Sequence, residues 1–276
     1  MGRRLLRWLG LVPLAGLTVL VLLPVLWMLS TSFQASEKMF QLAMEWIPAV
    51  WHPENYPNAL HRAPFPLFFT NSLIVSTVVM VGNVVFCTLA GYGLAKFRFP
   101  GDRFALLAIL STLMLPLEVT LVPTFLIVHS LGWLNTYQGI FAPLLVDAFG
   151  IFLMRQFIQG VPDELIDAAR LDGASELRIL VVIVAPLVAP ALAALALFAF
   201  VYHWNSYLWP LTVLRGQEEQ YPIVLSLGRL LSYTGAAKNT NLVMAGASLA
   251  VIPPLLVFAF LQRYFVRSIS RSGFGG

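Results

Sequence analysis

Six stretches of this chain are each long and apolar enough to cross a lipid bilayer, and this restricts the fold more than any other feature. A spanning helix needs about 20 mostly apolar residues, and the candidates cover residues 9–32, 67–92, 104–129, 137–158, 181–213 and 241–265. In hydrocarbon a backbone polar group has no water to turn to, so each stretch has to satisfy its own N–H and C=O groups. The expected fold is an all-α integral membrane protein of six transmembrane helices. Only 11% of the residues are charged and 59% are hydrophobic, where a soluble domain carries about 25% charged residues.

An even number of spans leaves both termini on one side, and Lys and Arg, which are retained in cytoplasmic loops, identify that side. With the termini inside, the cytoplasmic set is Arg3, Arg4, Arg7, Lys96, Arg98, Arg103, Arg155, Arg170, Arg178, Arg263, Arg267 and Arg271. The external set is Lys38, Arg62, Arg215, Arg229 and Lys238. Twelve against five of the 17 basic residues favours cytoplasmic termini. Topology also accounts for the net charge of +4 and isoelectric point of 9.4. The basic residues flank apolar runs and form no dense patch interleaved with aromatics, so no nucleic-acid partner is expected.

Arg3, Arg4 and Arg7 ahead of the first run look like the start of a secretory signal. The run is longer than a signal's apolar region of about 7 to 15 residues and no small-x-small cleavage pattern follows directly, so it reads as an uncleaved anchor. Residues 1–276 then form one membrane domain: the anchor and an external loop (1–66), a core (67–265) and a cytoplasmic tail (266–276). Trp46, Trp51 and Tyr56 in the loop suit the headgroup level. Prolines recur within the runs, at Pro116, Pro123, Pro143, Pro186, Pro190, Pro253 and Pro254. Each removes a backbone donor and bends or breaks a helix, which a membrane tolerates where neighbouring helices or a wet cavity satisfy the freed carbonyls.

The chain is not expected to be an enzyme or to bind a cofactor of its own. A phosphate-cradling loop needs lysine directly after glycine, but Lys38, Lys96 and Lys238 follow Glu37, Ala95 and Ala237. Cys87 is the single cysteine, and His52, His61, His129 and His203 are scattered with no i, i+4 pair, so neither a disulfide nor a metal site is expected.

The segment from Gly160 to Arg178, between the fourth and fifth runs, is the long stretch least suited to hydrocarbon, and it has clear helical grammar. Pro162 suits a first helical position, with Asp163 and Glu164 at the positive end of the helix dipole. Gly173, after Asp172, provides a stop. Leu165, Ala168, Ala169 and Leu171 form an apolar face suited to docking, and Asp163, Asp167 and Arg170 a charged flank. The chain restarts at Ser175 into the fifth run.

Asp167-Ala168-Ala169 followed by Asp172-Gly173-Ala174, then apolar residues and Pro186, resembles the "EAA" loop of permease subunits of bacterial ATP-binding-cassette importers. Asp167 stands where that family usually has glutamate. The resemblance continues through Asn71-Ser72, Lys96 to Gly101, Leu131 to Thr136, Trp204-Asn205 and Gln262-Arg263, and is nearest to the second permease of the maltose and glycerol-3-phosphate branch. Ala63-Pro64-Phe65, Thr112 to Val119, Phe152 to Phe157 and Tyr207 to Leu211 look most like the glycerol-3-phosphate permease. The tail beyond Phe265 departs from the Gly-rich, Lys-containing tail of many sugar permeases.

The resemblance implies a type I importer permease in the bacterial inner membrane. Its implied partners are a homologous second permease, a dimer of cytoplasmic ATP-binding subunits that carry ATP and magnesium, and an external solute-binding protein. It further implies that the loop is a coupling helix, with Asp163, Glu164, Asp167, Ala168, Ala169, Asp172, Gly173 and Ala174 at the ATPase.

Polar groups inside spans are costly and usually face a cavity or a partner; here they are Glu118, His129, Asp147, His203, Asn71, Asn83, Asn205 and Gln262. Trp204, Tyr207 and Trp209 add aromatic faces suited to the C–H surface of a sugar. Glu118, Trp204, Asn205 and Trp209 are the candidates for the solute path. A secondary transporter or channel would predict inverted repeats or a lone proton relay, and a membrane enzyme would predict clustered catalytic groups at one depth; the sequence displays neither pattern.

Overall fold

The structure, a computed structural model, describes residues 2–35, 46–62, 64–216, 218–233 and 240–272. Lys38, Ala63, Lys238 and the last residues of the tail lie outside the described residues. The first run forms α1 (Gly2–Ser32), a continuous helix that absorbs Pro13 and Pro24. After α2 (Asn55–Arg62), the second run forms α3 (Phe65–Gly82), a π-helical segment at Asn83–Cys87 and α4 (Thr88–Lys96) as one continuous span. The third splits into α5 (Asp102–Thr112) and α6 (Leu117–Ser130), 104° apart. The fourth splits into α7 (Tyr137–Phe141), prolonged by a 3-10 turn to Leu144, and α8 (Ala148–Gln159), at 41°.

The amphipathic α9 (Asp163–Leu171) follows. The fifth run comprises α10 (Glu176–Ile179), a second π-helical segment (Leu180–Val184) and α11 (Ala185–Leu187), then α12 (Ala189–Trp204) turned by 87°. α13 (Leu208–Val213), α14 (Ile223–Tyr233), α15 (Thr240–Ala250) and α16 (Ile252–Ser272) come last.

Among the described residues, three helices are individually long and apolar enough to cross a membrane: Leu11–Ser32, Phe65–Lys96 and Thr240–Tyr264. The number reaches six if each bent pair counts as one crossing. Breaks thus interrupt the third, fourth and fifth runs, each of which carries proline expected to bend or break a helix, and they have local causes. Pro116 has no N–H to donate; it stands extended at φ −59°, ψ 147°, and α6 starts after it. Asp147 is extended at φ −134°, ψ 152°, and its carboxylate caps α8 by accepting from Gly150 N at 2.8 Å. Val188, between Pro186 and Pro190, leaves helical geometry at φ −101°, ψ 18°. Pro253 and Pro254 fall in the first turn of α16, where a missing donor costs little, and the sixth run stays one span.

The chain divides into two units by packing. One comprises Met1–Pro66 and Ser226–Ile252. Within it the apolar side chains of α1 from Leu11 to Leu26 are exposed, and the C-terminal end of the helix is tied down. Asn55 Nδ2 donates to Ser32 O and Gln34 O, both at 2.9 Å, and Asn55 Oδ1 accepts from Asn241 Nδ2 at 2.9 Å.

The second unit comprises Leu67–Leu225 and Pro253–Gly276. Its core gathers Cys87 and Tyr92, Ile151, Met154 and Ile158 of α8, Ile166 and Ala169 of α9, and Ile179, Leu180 and Val184. Small residues let α4 and α8 cross closely, as in membrane helix pairs generally. A Cβ on Gly91 would lie 2.8 Å from Arg155 N, and one on Gly150 2.8 Å from Cys87 Sγ.

Candidate functional site

α9 owes its position to its sequence and to α4. Asp163 and Glu164 occupy its first turn and Arg170 its last, each sign matching the dipole end it faces. Helical geometry begins at Asp163, with Pro162 as the cap at φ −58°, ψ 132°, one residue later than expected. The helix ends at Gly173, in the left-handed region at φ 77°. Gly173 N donates to Arg170 O and Ala174 N to Ala169 O, both at 3.0 Å, so the last carbonyls are satisfied by a reversed turn that glycine enters without strain. Ser175 then caps α10, its hydroxyl accepting from Arg178 N at 3.4 Å.

The structure divides the apolar face expected of α9. Ile166 and Ala169 turn into the core of their own unit, whereas Leu165 and Ala168 are exposed and Leu171 is 90% exposed. Ala169 is therefore an anchor within the chain, which corrects its expected place on an outward docking surface. Asp163, Glu164, Asp167, Asp172 and Gly173 are exposed and Ala174 is half-buried.

Residues distant in sequence hold this helix. Lys96 Nζ, on a side chain only 5% exposed, donates to Val161 O and Asp163 Oδ1, both at 2.6 Å. This bond from Lys96, with its charge, holds the Asp163 carboxyl below its ordinary range. At the other end Arg170 Nε donates to Glu176 Oε1 at 2.7 Å and Nη1 to Asp167 Oδ1 at 3.0 Å. Those hydrogen bonds raise the Arg170 pKa further still. Tyr92 Oη donates to Glu176 Oε2 at 2.6 Å, and the Arg170 guanidinium lies 5.7 Å from the Phe97 ring centre. Sequence reading placed Lys96 in a matched block but missed its role, and missed Tyr92 and Glu176. Tyr92 and Glu176 stand 84 positions apart, and no local pattern links them.

Three cavities follow α6 on one side and α12 and α13 on the other. The first, about 600 Å³, is lined by Thr112, Leu117, Thr120, Asp147, Tyr202 and His203 among others. The second, about 520 Å³, shares Leu117, Phe198 and Tyr202 with it and adds Asn205, Tyr207 and Trp209. The third, about 280 Å³, continues along the same elements with Leu121, Phe125, Thr212 and Arg215. The first two adjoin and the third lies further along α6 and α13; this groove is walled by aromatic and aliphatic side chains, with hydroxyls and the Asn205 amide spaced along it. Arg215, 4.9 Å from the Phe125 ring centre, is the one Lys or Arg among the lining residues of these three cavities. His203 is buried, its Nδ1 without a hydrogen-bond partner among the described residues.

The four expected path residues are not brought together. Asn205 and Trp209 line the second cavity. Trp209 is otherwise a core residue, its Nε1 donating to Ile140 O at 3.0 Å. Trp204 is 1% exposed and packs on Phe69 and Phe200. Glu118 is exposed in the first turn of α6 and lines none of the three.

The other polar groups build scaffold. Asn71 donates to Glu219 O and Tyr221 O and accepts from Tyr137 Oη at 2.6 Å. Asn83 donates to Val79 O and Leu144 O, while exposed His129 faces Phe125 and Gln262 bonds within its own helix.

Residues 83–271 match the model of the family described as binding-protein-dependent transport system inner membrane component. The chain is 32% identical to the arabinooligosaccharides transport system permease protein AraQ of Halalkalibacterium halodurans, over 99% of this chain and 98% of that one. It is 37% identical to the sn-glycerol-3-phosphate transport system permease protein UgpE of Yersinia enterocolitica, over 84% of each. Among solved structures, a chain of a bacterial transporter that imports the acidic polysaccharide alginate superposes with a TM-score of 0.82 at 27% identity, covering 95% of this chain and 97% of that one. That family consists of transport permease subunits rather than enzymes. Matching through most of its helices, including α9 and the groove, this chain belongs to the binding-protein-dependent transport system inner membrane components, among the carbohydrate-importer permeases.

Proposed function

We propose that this chain is one of two permease subunits of an ATP-driven importer that receives its solute from an external binding protein. ATP and magnesium are handled by a partner pair of cytoplasmic ATP-binding subunits. The solute is of the carbohydrate class, sn-glycerol-3-phosphate or a sugar or oligosaccharide, the classes named for the relatives. Both termini face the cytoplasm, α9 docks on the ATPase, and the groove along α6, α12 and α13 is this subunit's share of the path. The observation that carries the reading is the outer strip of α9. An ordered helix fixed by short bonds at both ends leaves Leu165, Leu171 and Leu177 of the adjoining α10 exposed. Exposed apolar side chains on a rigidly held helix suit a docking surface. Along the groove, aromatic faces suit sugar C–H surfaces and the spaced hydroxyls suit its hydroxyls.

The test is Gly173→Asp in the purified complex. No atom lies within 4 Å of the added Cβ, so the strain comes from φ 77° alone, a cost of about 1–2 kcal/mol. The variant is expected to insert normally yet to lose ATPase subunits or solute-stimulated ATP hydrolysis. Full retention of both, with transport at the unmodified rate, would remove α9 from the docking role. Solute binding measured on the partner binding protein decides between glycerol phosphate and sugar.

A further inference from the structure

We infer that the second span, through Tyr92 and Lys96 of α4, is the element that carries movement of α9 to the groove, these two side chains acting as positioning residues. This rests on the reading of α9 as the docking helix and adds the route. α9 is joined covalently to α8 and α10 by turns, at residues 160–162 and 172–175. Ile166 and Ala169 seat it in the core with α8 and Ile179, and its polar ends are held from α4. Lys96 holds its first turn by two bonds of 2.6 Å. Tyr92 reaches its last turn through Glu176 and Arg170, at 2.6 and 2.7 Å.

α4 in turn is rigidly placed. It crosses α8 at Gly91 with no room for a side chain, and Arg155 Nε of α8 donates to Leu94 O at 3.2 Å. Toward its other end the span widens into the π-helical segment Asn83–Cys87, an irregularity that recurs at functional sites. There the fully buried Asn83 donates to Leu144 O at 2.8 Å, and Cys87 Sγ lies 3.5 Å from Asp147 O. Leu144 and Asp147 line the first cavity. An unbroken series of bonds therefore runs from α9 along α4 to the groove wall, without passing through the bend between α11 and α12.

The test uses the full complex, with second permease, ATPase subunits and binding protein, reconstituted in lipid. It compares unmodified, Tyr92→Phe, Lys96→Gln and Lys96→Arg forms. Three quantities are measured: transport, the ratio of solute-stimulated to basal ATP hydrolysis, and the reactivity of Thr120→Cys in the first cavity toward a membrane-impermeant maleimide with and without ATP. Cys87 is buried and contributes little background. Tyr92→Phe and Lys96→Gln are expected to assemble, to lose about fivefold or more in the stimulation ratio and in transport, and to blunt the ATP-dependent change at Thr120→Cys. Lys96→Arg is expected to restore much of the loss, because it keeps the charge and donors.

The inference is overturned if Tyr92→Phe and Lys96→Gln transport within about twofold of the unmodified complex with the Thr120→Cys response intact. It is equally overturned if both merely fail to assemble and Lys96→Arg restores nothing, which would make the bonds structural. Gly173→Asp run alongside separates the two levels. Normal transport by it rejects α9 as the docking helix; its inactivity beside normal Tyr92→Phe and Lys96→Gln rejects only the route through α4.

Discussion

α9 and the groove lie in the same unit and are built on opposite plans. Every charged side chain that fixes α9 has a partner at 2.6–3.0 Å, and its inner strip is sealed into a core. The groove has few charged residues, and its polar groups are mostly hydroxyls set among Phe, Tyr, Trp and Leu. The contrast follows from what each has to do under the proposed function. A helix that transmits force must not yield locally, whereas a surface along which a solute passes must hold it weakly at several points.

The largest expected effect breaks the rigid side of this comparison. Ala169→Asp would place an unpaired carboxylate where the side chain is 8% exposed, a loss of about 3 kcal/mol or more. Poor insertion and a lower melting temperature in detergent are expected, whatever the ATPase does. Leu171→Ser sharpens the contrast within one helix. At 90% exposure its effect on stability should stay within about 0.5 kcal/mol, while co-purification of ATPase subunits falls. Equal behaviour of the two variants would mean that the inner and outer strips of α9 are not distinct.

In the groove the same division separates Trp209 from Asn205. Trp209→Ala should destabilise by about 3–5 kcal/mol, because the ring is buried and bonded to Ile140 O. Asn205→Ala, whose amide bonds only one turn back to Val201 O, should assemble normally and change the rate or selectivity of transport. Loss of assembly in Asn205→Ala would move it from the path to an interface.

The smallest effect is one of pH. Asp163 has its pKa depressed, first by the hydrogen bond from Lys96 and then by that charge, so its contribution is complete above its ordinary value of 3.8. It is lost only as pH falls from there through the lower folded value. Between about pH 5 and 8, Asp163→Asn should therefore shift coupling by an amount independent of pH. A slope in that range, measured by ATPase stimulation, would assign the titration to another group.

How far residues disclose these regions follows the same contrast. α9 was legible because its signals are local: acidic residues at the first turn, Arg170 at the last, Gly173 as the stop, and a matched family motif. The positive φ at Gly173 agrees with that reading. The partition of its apolar face was not legible, since Ile166 and Leu165 are alike in hydropathy and only the position of the core distinguishes them. The prolines marked where bends arise, but not their size. A missing N–H at Pro116 permits a break, and the 104° between α5 and α6 depends on what each half packs against.

Residue order thus decided the membrane setting, the helical class and the motif at α9, because hydropathy, charge bias and capping act over a few turns of one chain. Tertiary packing decided which apolar runs bend, which tryptophans are core and which face a cavity, and that Lys96 holds α9 and Tyr92 holds Glu176 of α10 from more than sixty residues away. Those outcomes depend on distances between segments, and no periodicity along the chain encodes a distance across the fold.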